Sequence, residues 1–411
     1  MKLTFLGTAS CFPTPTRGVS CTALALDEGE IWLFDCGEGS QIQLQKCKNI
    51  RPGKVTKIFI THLHGDHLFG LPGLLCTLGN GCNINENKVV DLYGPYGLRK
   101  YLITSLELSR SVPSFKFNIY ELMPKENQFP PDWSEWNTEF EYSGQSASKV
   151  GEVSHAKIFP VSIGCTGLGV LDSKDKTADE FYKSEHEGSN NETPHLFWNI
   201  FECEESAYSV KAGALKHRIP SFGYVIEEKD KPGKLNVSKL QKELGLTPGP
   251  IFGQIKSGKV IELDNGIKIH SDEFLGPSKK GRKVSILGDT CDSSGLIPIC
   301  NNSDLLLHES TMENALVAKA IEYGHSTPEM AAKFAVLANS NKLCLIHLSP
   351  RYRPKLSLEF EETERDINKS EETITSDILK NEAEQYLRTV DSKIEVVVAD
   401  DFLVLPVLKA N

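Results

Sequence analysis

The stretch from residue 58 to residue 75, IFITHLHGDHLFGLPGLL, limits what this chain can fold into more than any other. Ile58, Phe59 and Ile60 form a continuous apolar run, as expected of a strand buried on both faces. Leu68, Leu71, Leu74, Leu75 and Leu78 then recur at helical spacing, with Pro72 and the nearby glycines leaving the helix start open. Between strand and helix stand His62, His64, Asp66 and His67. In an extended chain His62 and His64 point to the same side, because side chains alternate with a period of two. Gly65 lets the backbone turn sharply after them, so Asp66 and His67 can face a second position close by. Imidazole and carboxylate suit zinc, and two such clusters a few ångströms apart make a two-metal hydrolytic site. A polar turn with hydrogen-bonded histidines is the ordinary reading of a single such residue; the pattern H-x-H-x-D-H argues against it.

The chain has 411 residues, of which 39% are hydrophobic and 24% charged. That suffices for a large core, and the length allows two or three domains or, equally, one large α/β domain with insertions. A net charge of −10 and a pI near 5.7 would repel a polyanion, so any nucleic-acid contact has to come from a local basic patch. The 11 cysteines are an odd number without a regular framework, which points to a reducing compartment. The opening MKLTFLGTAS reads as a first strand rather than a signal peptide, and no stretch has transmembrane length. The expectation is a soluble intracellular protein, of cytoplasm or nucleus, with no membrane partner.

Polar residues gather where strands end. Leu3–Leu6, 22–26 and Glu30–Phe34 read as strands. Asp35 follows the third, placed either to orient metal-binding histidines or to cap a helix near Ser40. Val89–Tyr93 reads as a strand and Pro95–Leu108 as a helix, with Leu98, Tyr101, Leu102, Ser105 and Leu108 near one face. Residues 121–215 contain an acidic, flexible insertion, and His155, His186 and His195 in or beside it lack a ligand-like neighbourhood. Lysines crowd the segment 229–270: Lys229, Lys231, Lys234, Lys239, Lys242, Lys256 and Lys259. Within it, Thr247–Gln254 is a Pro/Gly element expected to break regular structure. Lys283–Leu287 is a strand ending at Asp289, whose two carboxylate oxygens can bridge two metals. Asp304–Leu307 leads to Glu309. Ser326, Pro328 and Glu329 signal a helix start with His325 just ahead. Lys342–Ile346 is a strand delivering His347. Residues 357–377 read as a charged insertion, and strands within Val396–Val407 close the fold.

The motif resembles that of the metallo-β-lactamase superfamily, and the longer run from Gly65 to Leu75, GDHLFGLPGLL, resembles its ribonuclease Z branch, the tRNA 3′-end endonucleases. The segment from His217 to Tyr224, HRIPSFGY, resembles the branch's H-x-x-P-x-F-G-Y. The resemblance implies one catalytic domain over residues 1–411: a four-layer αβ/βα sandwich with the metals at one edge. It implies two zinc ions per chain, with manganese as an alternative. One would be held by His62, His64, His217 and Asp289, the other by Asp66, His67, His347 and Asp289. Asp66 would accept the proton of the attacking water, and His325, paired with Glu309, would assist the leaving group. The 229–270 segment resembles the protruding arm that grips tRNA, with Lys234, Lys256 and Lys259 contacting phosphate. Arg17 matches the arginine of an Arg-Asn pair near the RNA 3′ end, with Gly18 where the branch has Asn. Position and chemistry add Ser349 and Arg351 as phosphate contacts. The short-form length implies a homodimer, and the implied products are a tRNA with a 3′ hydroxyl and a trailer with a 5′ phosphate. The alternatives are a metallo-hydrolase of another phosphodiester or a small thioester or ester, and a non-catalytic RNA-binding protein. The lysine-rich arm disfavours the small substrate, and the complete ligand set disfavours the non-catalytic reading.

Overall fold

In the computed structural model, the described residues are 1–79, 88–133, 147–162, 170–172, 196–202, 206–258, 260–263, 266, 268–354 and 374–409. The N-terminal half supplies β1 (Lys2–Gly7), β2 (Cys21–Ala25), β3 (Ile31–Phe34), β4 (Val55–Phe59), β5 (Val89–Pro95), β6 (Lys116–Leu122), β7 (Glu152–Ile158), β8 (Val161–Ser162) and β9 (Val170–Asp172). The remainder supplies β10 (Leu196–Glu202), β11 (Tyr208–Leu215), β12 (Ser221–Glu228), β13 (Ile261–Glu262), β14 (Lys268–Ile269), β15 (Lys283–Ile286), β16 (Leu305–Glu309), β17 (Lys342–Ile346), β18 (Glu395–Val398) and β19 (Val404–Pro406).

These strands form two large mixed sheets, in the orders β19-β1-β2-β3-β4-β5-β6-β7-β9 and β18-β17-β16-β15-β12-β11-β10-β8, with β13-β14 a separate ribbon. Within the first sheet β3 to β7 run parallel; within the second, β15 to β18 do. Parallel strands place their carboxyl ends along one edge, where open α/β sheets gather functional groups. One apolar cluster joins the facing sheets, with Phe5, Trp32 and Phe59 from the first meeting Trp198, Tyr224 and Leu307 from the second. In-register pairing stacks Phe34, Phe59, Tyr93 and Tyr120 across four neighbouring strands, with centroids 4.9, 4.9 and 4.8 Å apart. Tyr224 of the second sheet donates to Ile60 O at 2.8 Å, pinning the sheets together just before the histidine turn.

Helices cover both outer faces. On the first sheet lie α1 (Ser40–Lys46), the short α2 (Gly65–Leu68), α3 (Leu71–Gly79) and α4 (Leu98–Leu108). A small cluster of Leu240, Phe252, Ile255, Ile269 and Phe274 gives the lysine-rich segment its own core, built on α5 (Val237–Leu244), α6 (Pro250–Lys256) and the β13-β14 ribbon. The outer face of the second sheet carries α7 (Ile297–Cys300), α8 (Val317–Glu322), α9 (Pro328–Leu337) and α10 (Asp377–Thr389). This is the expected αβ/βα sandwich. Among the described residues no helix is long and apolar enough to cross a membrane.

Several local expectations need correction. The helix after the histidine turn breaks at Phe69-Gly70, because Gly70 N donates to Cys36 O at 2.9 Å instead of continuing α2. In α4 the inward stripe is Leu98, Leu102, Ile103 and Leu106, and Leu108 is exposed. Thr247–Gln254 does not simply break structure, since Pro250 opens α6 at the position where its missing N–H costs nothing. Helix α9 starts where expected, at Pro328, without the expected cap: Ser326 Oγ donates to Thr290 O, and Asn314 Oδ1 accepts from Glu329 N. Within 121–215, strands β7, β10 and β11 belong to the sheets, while His186, His195 and most of the two acidic stretches lie outside the described residues.

Candidate metal centre

Six strand ends converge on one edge. β4 runs into His62, β11 into His217, β15 into Asp289, β17 into His347, and β3 into Asp35, while Glu309 ends β16. Asp35 (φ 60°) and His347 (φ 58°) turn through the left-handed region directly after their strands, a conformation Asp and His tolerate better than most residues. The turn carrying Asp66 is held by close backbone contact. A Cβ on Gly37 would fall 2.1 Å from Asp66 O, and one on Gly70 would fall 2.0 Å from Gly37 O. Only glycine lets these segments pack so tightly, and Cys36 N can then donate to His67 O at 2.7 Å.

The donor atoms fall into two adjoining sets. In the first, His64 Nδ1 lies 3.1 Å from both His62 Nε2 and His217 Nε2, and His62 Nε2 lies 3.6 Å from Asp289 Oδ2. In the second, His347 Nε2 lies 3.1 Å from His67 Nε2 and 3.3 Å from Asp66 Oδ2. Asp289 reaches this set too, with Oδ1 3.4 Å from His67 Nε2 and Oδ2 3.3 Å from His347 Nε2. A tetrahedral zinc with bonds of about 2.0–2.1 Å separates neighbouring donors by about 3.3 Å. The observed spacings match that polyhedron, so the cluster has the donor set and geometry to hold metal. The residues fit metal binding, and Asp289 lies within reach of both donor sets. His325 Nδ1 also lies near Asp289 and His347, but Glu309 Oε1 engages it at 3.1 Å.

The outward nitrogens of three rings are anchored, which fixes ring orientation and tautomer. His67 Nδ1 donates to Asp35 Oδ2 at 2.8 Å, His217 Nδ1 to Gly324 O at 2.7 Å, and His347 Nδ1 sits 3.0 Å from Thr311 Oγ1. Asp35 is therefore not a helix cap; its Oδ1 accepts from Thr61 N at 2.7 Å, and Gly39 opens α1. Burial lowers the proton affinity of His62 and His217 and takes His64 down to about 4, so these rings are neutral, as metal donors must be. Burial disfavours charge on Asp289 and Asp66 as well. Even so, His347, His67 and His62 hold Asp289, and His67 and His347 hold Asp66, well below the usual carboxylate range. His67 moves up despite burial, because Asp289, Asp35 and Asp66 surround it.

Beside the metal set lies a carboxylate–imidazole pair. Buried Glu309 accepts from Thr290 N, Thr311 Oγ1 and Ser326 N at 2.7, 2.6 and 3.0 Å, besides His325. Desolvation opposes ionisation, but the His325 partnership lowers its pKa. His325 is raised to about 9: burial pulls it down, and the charge and hydrogen bond of Glu309 outweigh burial.

The other expected contacts are dispersed. Arg17 is buried, so the expectation of an RNA contact there is corrected. Its guanidinium donates to Thr8 Oγ1 at 2.8 Å and Ala399 O at 3.0 Å and pairs with Asp400, fastening its loop to the chain's last turn. Lys234, Lys256 and Arg351 are exposed and Ser349 is half-buried, while Lys259 lies outside the described residues. His155 pairs with Glu121 Oε2 at 2.8 Å, away from the metal set. Sequence reasoning passed over Cys11, whose N–H donates to Asp66 Oδ2 at 2.6 Å, and Thr311, Gly324 and Arg218. The last two adjoin His325 and His217 in sequence, which was the available signal.

The profile of a family described as Anti-Pycsar protein Apyc1 matches residues 1–166. The human protein named Zinc phosphodiesterase ELAC protein 1 is 39% identical over 99% of this chain and 98% of its own length. Ribonuclease Z of Oceanobacillus iheyensis is 38% identical over 86% of this chain and 90% of its own. The chain belongs to the ribonuclease Z family. Among solved structures, human tRNase Z, short form (ELAC1), aligns at a TM-score of 0.58 and 30% identity, covering 99% of this chain and all 100% of that one. A long-form RNase Z from yeast shares the fold, at a TM-score of 0.51 and 16% identity over 98% of this chain and 41% of that one. The sandwich described above is thus the metallo-β-lactamase fold in its ribonuclease Z form.

Proposed function

We propose that the chain is a zinc-dependent endoribonuclease that removes the 3′ trailer from tRNA precursors, leaving a 3′ hydroxyl on the tRNA. The observation that carries this reading is the pair of donor sets sharing Asp289, with the His325–Glu309 pair at their edge, in a chain of the ribonuclease Z family. His62, His64 and His217 would hold one ion, Asp66, His67 and His347 the other, and Asp289 both. When bound, the metals supply Lewis acidity at the phosphate oxygens and make water a competent nucleophile near neutral pH.

The chain's own groups complete the chemistry. Asp66 Oδ2, steered by the Cys11 N–H, stands where it can take the proton of the attacking water. Glu309 holds His325 Nδ1, which leaves Nε2 to protonate the leaving O3′ of the tRNA as the phosphorus–O3′ bond breaks. The phosphate stays on the trailer. Exposed Lys234, Lys242 and Lys256, on a segment with its own core, suit contacts to tRNA phosphates remote from the cut. A second zinc per chain, use of manganese in its place, and a homodimer belong to the same reading.

The test is cleavage of a 3′-extended tRNA precursor by the wild type and Asp66→Ala, with metal content by mass spectrometry. The expected result is a single cut at the trailer junction, a 3′ hydroxyl on the tRNA, and loss of cutting in the variant. Bound metal without cleavage of the precursor would move the assignment to another phosphodiester or a small ester.

A further inference from the structure

The cleft over the metal residues encloses about 370 Å³, and its walls include Cys11, Glu38, Phe69 and Arg218. Phe69 and Arg218 come from opposite halves of the sandwich, and the metal site as described gives neither a role. Phe69 is 62% exposed, yet its ring has a built seat. It lies against Gly65, where a Cβ would fall 2.3 Å from Phe69 Cε2. The Tyr101 ring stands 6.4 Å away at an angle of only 21°. One side of the ring is held by the histidine turn while much of it remains open to solvent. An aromatic face held in this way beside a nuclease cleft suits an unpaired nucleobase, since every base has a π-face to stack.

Arg218 follows His217 and is exposed. Its stem packs where Gly324 has no side chain; a Cβ there would lie 3.3 Å from Arg218 Cγ. That places Arg218 next to His325. Among the described residues lining the cleft, Arg218 is the only lysine or arginine, facing Glu38, Asp66 and Asp289. A phosphate chain entering over three carboxylates gains from a guanidinium at that point.

We propose that Phe69 and Arg218 clamp the RNA across the cut: Phe69 stacks the first nucleobase of the trailer, and Arg218 holds a phosphate on the tRNA side. The direction rests on the function proposed above. His325 serves the tRNA's O3′, and Arg218 packs beside it. Phe69, on the Asp66–His67 side, then takes the departing strand. Specificity for a single-stranded 3′ extension follows, because a paired trailer cannot turn a base onto the ring.

Four measurements test the clamp. Removing the first trailer base of the precursor, leaving an abasic nucleotide, lowers the wild-type kcat/KM by roughly 5- to 150-fold, the range that one stacked base supplies. Phe69→Leu lowers kcat/KM on the intact precursor by a similar factor and suffers no further loss on the abasic one. The fluorescence of 2-aminopurine at that position is quenched on binding to Asp66→Ala and not to Asp66→Ala/Phe69→Leu. Arg218→Met flattens the slope of log affinity against log salt by about 0.7, one phosphate on a single strand, whereas Arg218→Lys keeps it. Independent losses from base removal and Phe69→Leu, or unchanged quenching, would overturn the stacking half. An unchanged salt slope in Arg218→Met would overturn the other half. Failure of the wild type to cut the intact precursor would instead remove the function on which the clamp rests.

Discussion

Replacing Asp35 by asparagine weakens one metal position more than the other. Asp35 Oδ2 accepts from His67 Nδ1 at 2.8 Å while Oδ1 accepts from Thr61 N at 2.7 Å. Asparagine is among the residues that tolerate the φ of 60° found there, so the backbone keeps its path. Its carbonyl can retain the Thr61 bond, which turns the amide NH₂ toward His67. Two donors then face each other, and His67 relieves the clash by moving its proton to Nε2, the atom aimed at the second metal position. Losing such an outer partner costs about 10- to 100-fold in metal affinity, or about 1.4–2.7 kcal/mol. His217 keeps its bond to Gly324 O, and the first set feels Asp35 only through Thr61 Oγ1, which bonds Asp35 and lies 3.1 Å from His62 Nδ1, so the first position changes less than the second. Zinc titration against a chelating indicator should resolve two sites per chain, the second weakened clearly more than the first. Equal weakening of both sites, or no change at either, would refute the role given to Asp35. So would a fall in the thermal stability of the metal-free chain large enough to account for the loss.

Other perturbations have equally definite outcomes. Gly37→Ala drives a Cβ to 2.1 Å from Asp66 O, so thermal unfolding should show a loss of about 1–3 kcal/mol, and metal analysis a vacated second position. Glu228 accepts from Arg282 Nε at 2.6 Å and pairs with Lys231 at 2.7 Å. Burial opposes its ionisation, yet these cations hold its pKa at about 2. Because that lies below the unfolded value, the stabilisation is present above about pH 5 and lost as pH falls toward 2, on the order of 1–2 kcal/mol after solvent screening. Denaturant titrations of Glu228→Gln should accordingly lack that part of the acid-induced decline. Replacing Lys234, Lys242 and Lys256 together by alanine should weaken precursor binding and flatten its salt dependence by up to about 0.9 per lost contact. Cleavage of bis(p-nitrophenyl) phosphate should persist; equal loss on both substrates would make the segment structural.

The metal-centre residues were legible because their chemistry is local. His62, His64, Asp66 and His67 share one turn, and Asp289 follows a short apolar strand, so residue type and position sufficed to nominate them; His347 also follows such a strand, but its place in the set came with the family resemblance. His217 has no such local pattern and emerged only through resemblance of its segment. Arg17 shows the limit. Nothing in a Gly/Pro loop reveals that Asp400 and Ala399 will wrap the guanidinium from the far end of the chain. Strand β7 escaped notice for a different reason: most of its residues are exposed or half-buried, so EVSHAKI lacks the apolar alternation of a half-buried strand. Leu108 was misplaced because a helical stripe drifts, and α4 buries the Leu98–Leu102–Leu106 row instead.

The most direct test of the account is to titrate metal-free chain with zinc while following bound metal and precursor cleavage in the same samples. The account predicts that cutting at the trailer junction rises with occupancy and saturates at two ions per chain. Full cutting with one ion or none would contradict it.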